Sequence, residues 1–500
     1  MNTLYAIIPL LLLQQVVVSS FATVTKRPRR YVLRVQKNVD EGKQPMSDVY
    51  ASPTAAAADA DALGAWVPIG SKSSLLGLGP TRVKVMNINL VVWESGTGNK
   101  DQQWSVMRDV CSHKFAALSQ GRVNVETSCI ECPYHGWQFH SDGKLACVPQ
   151  MESPTELSPA LVEKSSIQSY PVHITGDLIW AFLPTSIHGE SFPRHLLPED
   201  YYQNGLPRDI ETNANFAVME LPASQDMFLD NAMDPSHFPF AHHGVIGTRE
   251  DAGPSDMEVI PANFTHVSFR TKYKRKGEFR ERIYGVQRPF NFYTIERKEE
   301  SWTPSIVLFV VPVEEGKVRF ISSLGNNKLA SLPLPIWVRH ILTMKLQEGD
   351  TIMHDVELTL RGEGGDKPYI TPTSADAGVK AYRKWWKKYG LSTSPPHTFG
   401  PASSENLKQM SRSEYTNPWL MHTRTCSHCR SALRKAKLLE KWSLIIGFLT
   451  SISANISRHR ARAFIIMTIA LTLRSIGSKI VTMLEGPRDL SDVPDRSIPL

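Results

Sequence analysis

Three places in this 500-residue sequence hold side chains whose types and spacing can do metal or redox chemistry. The first pairs Cys111-Ser112-His113 with Cys132-Pro133-Tyr134-His135. Two Cys and two His in paired short loops can bind Zn²⁺ or an iron–sulfur cluster. Zinc fingers usually leave about two to five residues between ligands; the single residue between Cys111 and His113 is tighter. It suits a [2Fe–2S] cluster with two Cys on one iron and two His on the other, where imidazole raises the reduction potential. The second place is Asp234-Pro-Ser-His237-Phe-Pro-Phe-Ala-His242-His243. Two His and a carboxylate are the donors of the facial triad that binds Fe(II) and leaves positions open for O₂. The third is Cys426-Ser-His-Cys429. An isolated Cys-x-x-Cys serves redox exchange or half of a zinc site.

Each set makes a demand on the backbone. Asp234 and His237, three apart, share one face of a helix. His242 stands five residues beyond His237, about 140° further round an ideal helix. Both His can therefore meet one ion only if the helix is broken or π-bulged between them, and Pro239 supplies the break. The hydrophobic and charged fractions, 41% and 21%, are those of an ordinary globular chain, and its length calls for at least two packed domains. A net charge of +7 is mild for this length and points to no nucleic acid. Six cysteines are too few for a disulfide framework in so long a chain.

Arg82–Trp93 alternates apolar and polar residues as a half-buried strand does. Short strands and turns continue to about Leu183, and Pro-rich Ile187–Pro207 makes a connection. Asp226–His243 and Ile336–Leu360 have helical character; Val267–Tyr273, Ser305–Val313 and Val318–Ser322 read as strands. Strands followed by helices without βαβ alternation predict an α+β domain with an antiparallel sheet.

Cys-x-His, a loop, then Cys132-Pro-Tyr-His-Gly-Trp137 closely resembles the Rieske fingerprint of plant and algal oxygenases, with Phe139, Asp142-Gly143 and Val148-Pro149-Gln150 following as they do there. The loop from Lys114 to Glu131 is about one residue longer than usual, a departure that touches loop packing rather than ligation. Asp-x₂-His-x₄-His resembles the catalytic motif of the same Rieske non-haem iron oxygenase family. The resemblance implies Cys111, His113, Cys132 and His135 as cluster ligands, and His237 and His242 as ligands of a mononuclear Fe(II). It makes Asp234 not a ligand but a bridge from His237 to His135 of a neighbouring subunit, and so implies a homotrimer. The third iron ligand would come later: Asp350 matches the family's position, with Asp355 second. Cys129 makes an alternative Cys-x-x-Cys with Cys132, Cys147 reads as a buried structural thiol, and His243 falls outside the spacing.

Cys426 and Cys429, preceded by Trp419 and His422, resemble the C-terminal Cys-x-x-Cys of the plastid branch of this family. That branch includes pheophorbide a oxygenase, the protochlorophyllide-oxidising protein and the translocon-associated Rieske protein. A thioredoxin-responsive dithiol is the expectation; zinc would need two further ligands, with His422 and His428 nearby. Trp442–Ile456 and Ala463–Leu473 are apolar segments separated by Arg458, His459, Arg460 and Arg462. Each is shorter than the roughly twenty residues of a spanning helix. They predict a hairpin of tilted spans or interfacial helices, and the family branch is membrane-anchored at this end.

The N-terminus reads as an address: an apolar run, Leu4–Val18, then an acid-free basic stretch to Gln36. It resembles the bipartite presequence of complex plastids. The domain plan is a presequence and linker over 1–63, a small antiparallel β Rieske domain over 64–185, an α+β catalytic domain over 186–420, the Cys-x-x-Cys segment over 421–436 and membrane helices over 440–485. The resemblance implies O₂ as co-substrate, a ferredoxin-type electron donor and a chlorophyll-derived tetrapyrrole as substrate. Phe238, Phe240, Phe290, Phe292 and Tyr293 are available to line an apolar cleft. The competing class is a non-catalytic redox-sensing or import-associated component of the plastid envelope.

Overall fold

The computed structural model describes residues 63–96, 104–183, 192–193, 197–202, 216–245, 247–275, 278–298, 301–323, 334–362, 369–389, 412–456 and 460–486. The expected presequence and the Ala-rich linker lie outside them. The N-terminal third folds into three small antiparallel sheets. Strand β1 (Leu63–Ser71) pairs with β11 (Leu178–Leu183) and β12 (Phe192–Pro193), and β10 (Val172–Thr175) completes that sheet on β11. The second sheet runs β2 (Thr81–Val85), β3 (Ile88–Glu94), β4 (Trp104–Arg108) and β9 (Ser169–Tyr170). The third is a meander of β5 (Arg122–Val123), β6 (Ile130–Glu131), β7 (Gln138–Phe139) and β8 (Leu145–Cys147).

Arg82–Trp93, expected as one strand, is a hairpin. Met86 and Asn87 take φ of 46° and 65° at its two-residue turn, the left-handed pair that matches strand twist. Alternation could not show this, because both strands carry the same period across the turn.

The rest is built on a seven-stranded antiparallel sheet. Its strands are β13 (Ala217–Leu221), β14 (Asp256–Ile260), β15 (His266–Arg275), β16 (Glu278–Gln287), β17 (Asn291–Lys298), β18 (Ser301–Glu314) and β19 (Lys317–Ser323), in the order β13-β19-β18-β17-β16-β15-β14. Along β18, Val307, Phe309 and Val311 pack with Trp180, Phe182 and Leu90 of the N-terminal third. Leu308 and Val310 point the other way, to a core shared with helices. The nearly unbroken apolar run of this strand follows from burial on both faces. Across the first interface the Met86 and Asn87 amides donate to the carbonyls of Pro312 and Val313 at 2.8 and 2.9 Å.

The helical layer holds α1 (Gln225–Ala232), α2 (Phe238–Ala241), α3 (Ile336–Asp350), α4 (Ile352–Gly362), α5 (Ala377–Tyr389), α6 (Ser427–Ile456) and α7 (Arg460–Glu485). Val379, Tyr382 and Trp385, spaced three apart along α5, are buried on the sheet. Helices α6 and α7 pair as a long hairpin of 30 and 26 residues, longer than the apolar segments because polar turns extend both. The root of the hairpin, with Cys429, Leu433, Ala436, Val481 and Leu484, belongs to the helical core. Towards its tip, Trp442, Phe448, Leu449, Phe464 and Ile465 are each more than half exposed.

Candidate metal centres

The two N-terminal loops are built alike. Cys111 lies three residues after β4, and its carbonyl accepts the amide of Phe115; the Cys132 carbonyl, just after β6, accepts the amide of Gly136. Phe115 and Gly136 stand at the same place in each loop, four residues after the Cys, with φ of 61° and 74°. Glycine meets that left-handed requirement without strain. The turns present Cys111 and Cys132, 1% and 3% exposed, on the inner side, and half-buried His113 and His135 on the outer side, ring centroids 4.6 Å apart. His113 stacks on Trp137 at 4.6 Å with 7° between planes, and Gln150 Nε2 donates to the His135 carbonyl at 2.8 Å.

Burial first, and then the neighbouring Cys132, push the Cys111 thiol up to about 11. His113 Nδ1 is buried without a hydrogen-bond partner among the described residues. Two buried thiols beside two imidazoles, one with an orphan nitrogen, fit a cluster bound by thiolates inside and imidazoles outside. Cys129 lies apart, its sulfur 3.4 Å from His140 Nδ1. Cys147 is only half-buried, not the buried thiol expected, because it stands in the short terminal strand of the meander.

The second place is built from elements at the edge of the helical layer. Helix α1 ends at Ala232, and Pro235–His237 is one turn of 3₁₀ helix leading into α2. Pro239 begins α2 rather than breaking it; the interruption lies at Met233 and Asp234, before the first His. The tighter 3₁₀ turn rotates the chain more per residue, and His242 leaves helical geometry as the C-cap of α2. The two rings then converge, Nε2 to Nε2 at 3.2 Å.

Asp350, last residue of α3, completes the group: its Oδ1 lies 3.5 Å from His237 Nε2 and 3.1 Å from His242 Nε2. Donors about 2.1 Å from one ion at right angles would stand about 3 Å apart, so the group fits a single metal with an open face. Burial alone would raise the Asp350 carboxyl, but hydrogen bonds from His237 and His242 hold it well below the usual carboxylate range.

Two residues the sequence reading missed set this geometry. Asn231 Nδ2 donates to Asp350 Oδ1 at 2.9 Å. Gly349 lets α3 approach: a Cβ there would lie 2.4 Å from the Ala241 carbonyl oxygen and 2.6 Å from His242 Nδ1. The signal for Gly349 was a glycine inside a helical run, beside the candidate carboxylate. Asp355 is not in the group; it accepts from the Tyr415 hydroxyl at 3.3 Å. The Asp234 carboxylate caps the 3₁₀ turn by accepting from the Ser236 amide and hydroxyl. His243 Nδ1 accepts from the Arg249 amide at 3.2 Å. Of the five aromatics, Phe290, Phe292 and Tyr293 are core, and Phe238 packs edge-on against His237 at 4.6 Å.

The third place also draws in unexpected residues. Cys426 and Cys429, at the start of α6, meet His422 and His340 in a fully buried group. His340 comes from the middle of α3, and His428 is not part of the group.

Residues 65–171 match the Rieske [2Fe–2S] domain family. The chain is 28% identical to pheophorbide a oxygenase of Oryza sativa subsp. japonica, a chloroplastic protein, over 75% of this chain and 74% of that one. The chain carries a Rieske [2Fe–2S] domain and is similar, over about three quarters of its length, to chloroplastic proteins of the Rieske oxygenase type. Flavonoid 8-hydroxylase 2 of Ocimum basilicum, also chloroplastic, is 26% identical over 81% of this chain and 80% of its own length. Protochlorophyllide-dependent translocon component 52 of Arabidopsis thaliana is 26% identical over 75% and 74%. The cofactors of this chain are a [2Fe–2S] cluster and a mononuclear iron.

Proposed function

We propose that this chain is a plastid Rieske oxygenase that oxygenates a flat, chlorophyll-derived tetrapyrrole of the pheophorbide a type while held at a membrane by its C-terminal hairpin. The module of residues 64–185 carries the cluster on Cys111, His113, Cys132 and His135. That of residues 186–420 carries the iron on His237, His242 and Asp350. The convergence of these last three donors, from two helices more than a hundred residues apart in sequence, is the observation that carries the reading. When bound, the cluster delivers single electrons supplied by a ferredoxin-type donor, and the mononuclear iron activates O₂.

The chain's own residues do the positioning. Asn231 fixes the Asp350 carboxylate through Oδ1, leaving its other oxygen unaddressed by that bond. Gly349 brings α3 close enough for Asp350 to reach both imidazoles. Phe238 shields the His237 ring on one edge. Asp234, half-buried three residues before His237, links it to His135 of a neighbouring copy in a head-to-tail trimer. The half-exposed imidazole edge of the N-terminal loops supports that route. Among the described residues, α7 is long and apolar enough to cross a bilayer; the exposed apolar side chains at the hairpin tip support attachment there.

The test supplies the reduced holoenzyme with pheophorbide a and O₂ and looks for an oxygenated product, with His237→Ala as control. Product from the wild type alone supports both the oxygenase and the tetrapyrrole. A normal cluster spectrum with iron present but no product overturns the substrate and moves the search to phyllobilins, protochlorophyllide and flavonoids. A chain that takes up the cluster but no mononuclear iron overturns the enzyme reading and leaves the redox-sensing, import-associated component.

A further inference from the structure

We propose that His340, His422, Cys426 and Cys429 bind a structural zinc ion that pins the root of the C-terminal hairpin to the helix carrying Asp350. The four side chains are 2%, 0%, 1% and 0% exposed, and one donor atom from each lies within 4.8 Å of all the others. His340 Nδ1 is 3.5 Å from the sulfur of Cys426 and 3.5 Å from that of Cys429. His422 Nε2 is 3.3 Å from the Cys429 sulfur and 2.9 Å from His340 Nδ1. A tetrahedral ion with Zn–S near 2.3 Å and Zn–N near 2.0 Å would set sulfur and nitrogen about 3.6 Å apart, and the two nitrogens about 3.3 Å apart. The observed separations lie within a few tenths of an ångström of that figure.

Three further features favour a closed metal site over an exchangeable dithiol. Thiol–disulfide exchange needs an accessible sulfur for the attacking thiolate, and neither cysteine offers one. The ring of His422 is held from its other side: Nδ1 lies 2.6 Å from the Val218 carbonyl oxygen on β13. That is the arrangement by which a backbone carbonyl fixes tautomer and ring direction for a ligating imidazole. The donor set is also complete, with two thiolates and two imidazoles and no open position, as structural zinc sites are. The N-terminal turn of α6 supplies both sulfurs, His422 leads into it, and His340 reaches across from α3. Zinc here would join three segments that the sequence separates by 82 and 4 residues.

The experiment is metal analysis of the purified full-length holoenzyme, prepared without added zinc, with X-ray absorption at the zinc edge. The expected result is about one zinc per chain in a shell of two sulfurs near 2.3 Å and two nitrogens near 2.0 Å. Zinc content should fall more than tenfold in Cys426→Ser/Cys429→Ser and stay unchanged in His237→Ala, which rules out zinc lodged in the iron triad. Should the double variant fail to fold, the wild-type absorption spectrum decides by itself. Zinc with nitrogen and oxygen neighbours only overturns the proposal. So does a zinc-free chain whose intact mass, two hydrogens lighter, reveals a Cys426–Cys429 disulfide that a dithiol reductant opens.

Discussion

Helix α3 carries one donor for each of two metal-ligand groups: Asp350 at its end and His340 ten residues earlier, about 15 Å along the axis. The groups differ in the ways that would separate a working site from a fastening, as proposed for each. The first has two imidazoles and one carboxylate, and His237 keeps 14% of its side chain exposed, so an ion there would have positions to share. The second has four donors, two of them sulfur, all sealed. Openness follows from where each group sits. His237 lies on a 3₁₀ turn at the edge of the helical layer, whereas the cysteines begin a helix that enters the core.

Exchanging the damage between the groups gives the sharpest contrast. His237→Ala should lower turnover by about three orders of magnitude, the scale expected when a Lewis-acid centre is lost, with the melting temperature and cluster absorption unchanged. Cys426→Ser/Cys429→Ser should instead lower the melting temperature by on the order of 10 °C, measured by calorimetry. Equal losses of stability from both would break the comparison. Gly349→Ala tests the open site more gently. Its Cβ would press α3 away from Ala241 and His242, and iron affinity should drop about 10- to 100-fold while zinc content holds, read by metal titration.

The smallest effect concerns Glu220 on β13, which steadies the hairpin root through Arg424. Burial would raise its carboxyl, but Arg319, Lys317 and Arg424 outweigh that and hold it at about 2. A depressed folded value gives stability that is full above about 4.5 and is lost as pH falls towards 2. Glu220→Gln should flatten that acid limb of the urea midpoint; an unchanged limb would assign the acid sensitivity to other groups.

The residue pairs that announce themselves by short spacing were readable in the sequence: Cys111 with His113, Cys132 with His135, His237 with His242. So was Asp350, though only by its place in a family pattern. His340 was not, since nothing local ties it to a cysteine 86 residues later; only the packing of α3 on α6 brings them together. Gly349 and Asn231 were hidden for a related reason, because their importance is a distance to another element. The α+β class and the antiparallel sheet followed from strand periodicity. The Met86–Asn87 turn did not, since alternation carries through a two-residue hairpin without a break. Pro239 drew attention as the helix breaker, yet the chain changes course earlier, at Met233 and Asp234.

On the proposed reading, the apolar tip of the α6–α7 hairpin would change how an apolar substrate is found. A macrocycle that partitions into lipid is dilute in water but crowded within a layer about 30 Å thick. If Trp442, Phe448 and Phe464 tether the catalyst to that layer as proposed, it would search in two dimensions, and its rate would follow the surface density of substrate rather than its bulk concentration.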